Sequence, residues 1–130
     1  MNWYLKVMKE NYFNFKGRAR RKEYWMFVLV YTGIAIVVGF LAGFLAGALD
    51  QGQGQDLPQG VNLVIGLVGL AHLLPGIAVG VRRLHDIDKS GWWLLIGVIP
   101  LVGWIVSIYW ACQEGETGPN RFGPDPKQIA

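Results

Sequence analysis

Apolar positions in this chain come in long unbroken runs rather than in the short alternations of a soluble domain. Residues 24–49, 61–81 and 92–112 contain no Asp, Glu, Lys or Arg, and the runs hold 26, 21 and 21 residues. A hydrocarbon core of about 30 Å needs about 20 helical residues to cross it. The pattern predicts three transmembrane helices, the second kinked at Pro75. A transmembrane barrel would need segments that alternate apolar and polar, whereas Phe27–Val38 and Val64–Leu74 are almost continuously apolar. The expected fold class is all-α and integral to the membrane, and a soluble enzyme is excluded.

Ahead of the first run, Met1, Leu5, Met8, Tyr12 and Phe15 recur at steps of four and three, a spacing that stacks side chains on one helix face. Trp3 and Tyr4 flank the stripe while Lys6, Lys9 and Glu10 fall elsewhere. Residues 1–23 therefore read as an N-terminal amphipathic segment lying along the interface, with Gly17 ending its helix. Residues 50–60, rich in Gly and Gln, and 113–130, punctuated by Gly and Pro, have no periodicity. The whole of 1–130 reads as a single membrane domain. No internal repeat supports an inverted-repeat transporter. Ala46-Gly47-Ala48 has the small residues of a cleavage site, but the run before it is far longer than a secretory signal, so a retained anchor is expected.

Charge supplies the orientation. Of 12 Lys and Arg, seven lie in 1–23, none in 50–60, three in 82–91 and two in 113–130. The positive-inside rule then puts the N-terminus and the Arg82 loop in the cytoplasm, with the 50–60 loop and the tail outside. A hairpin or re-entrant second segment would instead return the tail to the cytoplasm. Asn120, Arg121 and Asp125 would then meet Arg82, Arg83 and Asp86 in one polar cap. Cys112 is the single cysteine, so there is no intramolecular disulfide, and one Cys with two His does not supply the usual structural zinc set. Neither a metal nor a cofactor is expected.

Four features carry candidate chemistry. Ala35, Gly39, Gly43 and Gly47 place a small residue at every fourth position of the first span, a ridge suited to close helix packing within the chain or between copies. His72 lies near the middle of the second span, three residues before Pro75, whose missing N–H frees the Ala71 carbonyl. It is the one candidate proton site, weighed against a neutral His bonded to a neighbouring carbonyl. Lys16, Arg18, Arg20, Arg21 and Lys22 form a basic cluster directly before the first span, suited to anionic headgroups; it explains the basic balance without nucleic acid, which is not expected as a partner. Arg82-Arg83-Leu84-His85-Asp86 is the densest polar constellation, with Arg82 and Asp86 spaced to pair along a helix. Trp92 and Trp93 follow it and are expected to fix the depth of the third span. No nucleophile with a base, no paired carboxylates and no phosphate-cradling loop accompany these residues.

Phe15-Lys16-Gly17-Arg18 with Arg21-Lys22-Glu23-Tyr24-Trp25, then Arg82-Arg83-Leu84-His85-Asp86 with Ser90-Gly91-Trp92-Trp93, then Pro100, then Gly118-Pro119-Asn120-Arg121-Phe122-Gly123-Pro124-Asp125-Pro126 stand in one order along the chain. In these motifs the sequence resembles the bacterial domain-of-unknown-function family 805, nearly end to end. The resemblance implies a small bacterial inner-membrane protein without an established activity. Members of that family often have Gly where this chain has Ile87 or Asp88, a departure expected to stiffen the turn.

The sequence thus leads to a non-enzymatic inner-membrane protein that self-associates through its small-residue ridge. Arg18, Arg21, Arg82 and Arg83 are the expected contacts to anionic lipid phosphate or to a membrane-protein partner, since guanidinium forks match phosphate oxygens. Glu23, His85 and Asp86 are expected to hold those arginines, with Trp92, Trp93 and Asn120 in support. The alternative is an oligomeric proton or ion pore, or a small-solute transport subunit, gated near His72 and Pro75.

Overall fold

The computed structural model describes residues 3–49 and 58–128, and its regular elements are helical apart from one isolated bridge between Asn120 and Gly123. A short helix α1 (Trp3–Leu5) continues as a π-helical turn over Lys6–Glu10. Two long helices follow, α2 (Arg21–Leu49) and α3 (Gln59–Asp86). A 3₁₀ helix over Gly91–Val98 then precedes α4 (Val102–Cys112).

Helices α2 and α3 contain the first two charge-free runs and extend past them. They pair antiparallel: Glu23 meets Arg82, Phe27 lies against Gly76, and Tyr31 stacks on His72. At 1.5 Å per residue each is about 43 Å long, enough to cross a bilayer. Only 6% of the most apolar 18-residue stretch of α2, and 28% of that of α3, is buried inside the chain. Ile36, Phe40 and Phe44 are 65%, 75% and 67% exposed. In water such surface would be unfavourable by about 25 cal/mol per Å², so this fold requires a hydrocarbon surround. The Gly/Gln-rich stretch expected as the outward loop lies, for residues 50–57, outside the described residues.

The third charge-free run is not the single helix that the sequence predicts. It breaks at Ile99–Leu101, where Pro100 has no N–H to give and Leu101 takes a left-handed conformation with φ 64°. The Val102 N–H closes on the Pro100 carbonyl at 2.8 Å, a γ-turn that reverses the chain. The limbs lie side by side: Trp104 Nε1 donates to the Gly97 carbonyl at 3.0 Å, and the Trp93 and Trp110 rings meet edge to face at 5.9 Å. Gly103 makes this approach possible, because a Cβ there would stand 1.8 Å from the Ile96 carbonyl oxygen. Each limb is about 16 Å long, half the thickness of a hydrocarbon core.

The N-terminal segment docks on the helix pair rather than lying apart from it. Val7 is fully buried with Ala19, Phe27 and Val79, and Tyr4 and Met8 pack on that cluster. The expected stripe is split: Met8 packs inward and Tyr12 bonds α3, whereas Leu5 and Phe15 are 41% and 40% exposed and Met1 lies outside the described residues. The helix stops at Glu10, and its π-helical turn, closed by Asn11 N–H on the Lys6 carbonyl at 3.1 Å, rotates Val7 inward. Gly17, at φ 86°, sits in the extended link to α2 and does not end the helix.

Candidate functional site

The polar motifs converge where α3 ends. A helix leaves its last four carbonyls without internal partners, and here the following turn and the tail supply donors for three of them. Leu84 O accepts from the Ile87 and Lys89 amides, His85 O from Asn120 Nδ2 at 2.9 Å, and Asp86 O from the Glu116 amide at 2.8 Å. One turn earlier, the Ala19 amide reaches the Arg82 carbonyl at 2.9 Å. The link before α2 and the tail after α4 are thereby tied to the same helix end. Gly115 permits the closest approach, since a Cβ there would stand 1.9 Å from Asp86 Oδ2. The expectation of a tail on the far side from the N-terminal basic segment is overturned: the folded-back hairpin returns it to that segment, and one cap forms.

Inside the cap, guanidinium and carboxylate groups are matched. Asp86 receives Arg18 at 2.9 Å on Oδ1 and Arg83 at 2.7 Å on Oδ2, while Glu23 Oε1 receives Arg82 Nη1 at 2.5 Å. Arg82 therefore pairs with α2 rather than with Asp86 one turn along its own helix. Backbone carbonyls take most of the remaining donors. Arg18 reaches Gly118 O at 2.6 Å and Glu116 O; Arg83 reaches Ala111 O at 3.2 Å and Gln113 O; Arg82 Nε reaches Asn14 O at 3.1 Å. Among the described residues, Arg82 Nη2 is the buried side-chain nitrogen without a partner. Asp125, also buried, receives the Gly118 and Lys127 amides, and these bonds hold its carboxyl below the usual carboxylate range.

Arg18, Arg82 and Arg83 are 7%, 2% and 2% exposed. This corrects the expectation that they meet lipid phosphate directly: their forks are enclosed and taken by Asp86, Glu23 and main-chain oxygens. Arg21 keeps a 43% exposed side chain and pairs with Glu114 at 2.8 Å. Glu23 and Asp86 do hold arginines. His85 holds none; its Nδ1 donates to the Gly17 carbonyl at 2.8 Å and its ring stacks on Phe122 at 3.9 Å. Asn120 caps α3, and Trp92 and Trp93 stand 80% and 53% exposed at the base of the hairpin.

The other candidates lie apart from the cap. His72 Nδ1 donates to the Val68 carbonyl at 2.8 Å, Nε2 meets the Tyr4 hydroxyl at 2.6 Å, and Tyr31 stacks on the ring at 4.8 Å. The Val68 carbonyl requires a hydrogen on Nδ1, and the Tyr4 hydroxyl can either give or take one at Nε2. Pro75 stays inside the continuous α3, and the Ala71 carbonyl it frees accepts from the Tyr12 hydroxyl at 2.7 Å. Ala35, Gly39, Gly43 and Gly47 are exposed, and nothing lies within 4 Å of a Cβ built on the three glycines, so no helix of this chain covers the ridge. Among the described residues no group of His, Cys, Asp and Glu is placed to hold a metal ion. Sequence reasoning missed Tyr4 and Tyr12, although an acceptor orphaned by proline is a signal to look for a hydroxyl donor.

Two exposed apolar helices, a folded-back apolar hairpin and a buried ionic cap at one end define a small helical membrane protein. The chain belongs to the family of proteins of unknown function DUF805, which it matches over residues 12–124. It is 48% identical over 127 residues to the inner membrane protein YhaH of Escherichia coli K12, with 98% of each chain covered. To the inner membrane protein YhaI of the same strain it is 43% identical, over 98% of this chain and 97% of the relative. The uncharacterized protein YiiR is 29% identical over 114 residues, covering 86% of this chain and 68% of that one. No solved structure matches the chain.

Proposed function

We propose that this protein is a non-enzymatic scaffold of the bacterial inner membrane that crosses twice, over 24–49 and 61–81, and engages anionic headgroups through its cytoplasmic basic face. The 91–112 hairpin enters one leaflet and returns, leaving the N-terminus and the tail together in the cytoplasm. In that topology all 12 Lys and Arg fall on one side, a stronger bias than three crossings provide. The small-residue ridge of α2, uncovered within the chain, is the surface for self-association.

The observation that carries the lipid reading is the division of the cations. Arg18, Arg82 and Arg83 are consumed inside the cap, whereas Lys9, Lys16 and Lys22 are exposed and take part in none of the ion pairs among the described residues. Each such Lys contributes about 1 kcal/mol near an anionic surface. Titrating phosphatidylglycerol into detergent-solubilised protein is expected to raise its melting temperature in a salt-sensitive way. The triple change Lys9→Gln, Lys16→Gln, Lys22→Gln is expected to remove most of that rise, and an undiminished rise would overturn the lipid reading. For the topology, a cysteine at Asn120 in a Cys112→Ser background is expected to resist a membrane-impermeant thiol reagent in intact cells. Labelling from outside would overturn the two-crossing arrangement.

A further inference from the structure

A groove of about 480 Å³ runs between Phe15, the outer side of the last two turns of α3 and the start of the 3₁₀ helix. Its floor is set by close packing: Leu94 seats against Gly80, and Gly91 lies so near Val81 that a Cβ would stand 2.7 Å from its methyl carbon. Along α3 the walls change character, from Ile77 at the deep end through Val81 to His85, and Ser90 joins His85 at the end nearest the polar cap. The rim belongs to the lipid-facing surface, with Trp92 80% and Leu95 61% exposed. In a bilayer, hydrocarbon chains are the medium that fills such a groove.

The polar end has defined chemistry. His85 Nδ1 carries its hydrogen to the Gly17 carbonyl and Phe122 covers one ring face, so among the described residues the nitrogen left without a hydrogen-bond partner is Nε2, an acceptor in the neutral ring. Ser90 Oγ accepts weakly from the Trp92 amide at 3.4 Å, which leaves its hydroxyl hydrogen to donate. One acceptor and one donor thus stand at the polar mouth of an apolar slot.

We propose that this groove binds one phospholipid, Ser90 donating to the phosphate, His85 Nε2 accepting from a hydroxyl or ammonium of the headgroup, and an acyl chain lying along Val81 and Ile77. The inference rests on the membrane reading above and deepens it, but it is separate from the surface lysines. Its site is stoichiometric and includes none of them.

The test is native mass spectrometry of the full chain from mild detergent, given equal phosphatidylglycerol and phosphatidylethanolamine. Retention of one phospholipid per chain, with either headgroup, is expected. His85→Asn, whose amide can still donate to Gly17, and Ser90→Ala are each expected to cut that retention about fivefold, the effect of one hydrogen bond. Leu95→Trp, at an exposed position, fills the slot and is expected to abolish it, with circular dichroism confirming the fold. No retained phospholipid, or undiminished retention in folded Ser90→Ala and Leu95→Trp, would overturn the site. The salt-sensitive thermal shift should survive Ser90→Ala; its loss in the triple lysine variant with the bound lipid retained separates the two readings.

Discussion

The Tyr12 hydroxyl donates at 2.7 Å to the Ala71 carbonyl, the acceptor that Pro75 leaves without its helical donor. Tyr4 reaches His72 in the next position, so the N-terminal segment closes over the one interrupted turn of α3. Tyr12→Phe is expected to cost about 1 kcal/mol of unfolding stability in detergent. In a Pro75→Ala background, where residue 75 supplies its own N–H, the same change should cost much less. A double-mutant cycle measures the coupling, and equal costs in both backgrounds would show that the hydroxyl does not compensate for the proline.

Asp86 pairs with two buried arginines at once. Asp86→Asn removes the counter-charge of Arg18 and Arg83 together and is expected to destabilise the fold by about 3 kcal/mol or more. Asp88 pairs with Arg121 at 3.0 Å where both side chains are well exposed, and Asp88→Asn should cost less than about 1 kcal/mol. Comparing the two variants by denaturant titration tests whether the buried pairs hold the cap.

Gly103 and Gly115 are expected to be intolerant of alanine. Gly103→Ala forces the hairpin limbs apart, and Gly115→Ala pushes the tail from Asp86, each by overpacking worth about 1–3 kcal/mol. Protease nicking of the tail should rise for Gly115→Ala. Gly43 faces open space, so Gly43→Leu should leave the melting temperature of the monomer unchanged while altering the subunit count on crosslinking. An unaltered count would remove the ridge as the self-association surface.

His85 gives the fold an acid sensitivity. It lies beyond the apolar run that ends at Val81, and burial pushes its imidazolium below the ordinary value; the Arg121 and Arg82 charges act in the same direction, against the Gly17 carbonyl, which favours the charged ring. The folded protein therefore binds the proton less readily than the unfolded chain. Its contribution is fully present above the unfolded value of about 6.5 and is lost as pH falls through the lower folded value. Melting temperature should decline between about pH 7 and pH 5, and His85→Asn should flatten that part of the profile.

The two long helices were legible because a charge-free run of Leu, Ile, Val and Gly has one favourable structure in hydrocarbon. The orphaned Ala71 carbonyl was legible from Pro75 alone. The fold-back of 92–112 was not, because a continuous 21-residue apolar run has the length of one crossing; Pro100 between Gly97 and Gly103 is the signal that divides it. Burial of Arg18, Arg82 and Arg83 was hidden for a different reason. Most of their acceptors are main-chain oxygens, among them those of Asn14, Ala111, Gln113, Glu116 and Gly118, and a carbonyl leaves no mark in a sequence. Asp88 takes φ 56°: the turn needs a left-handed residue there, which Asp tolerates.

Arg18 takes as partner the carbonyl of Gly118, a residue made 100 positions later. The main-chain oxygens of Glu116 and Gly118 that receive Arg18 therefore follow both long helices in the chain. A truncation before Gly115 is expected to leave the Arg18 guanidinium with Asp86 as its remaining partner. The cap thus behaves as a clasp whose two halves come from opposite ends of the described residues, and neither half is closed without the other.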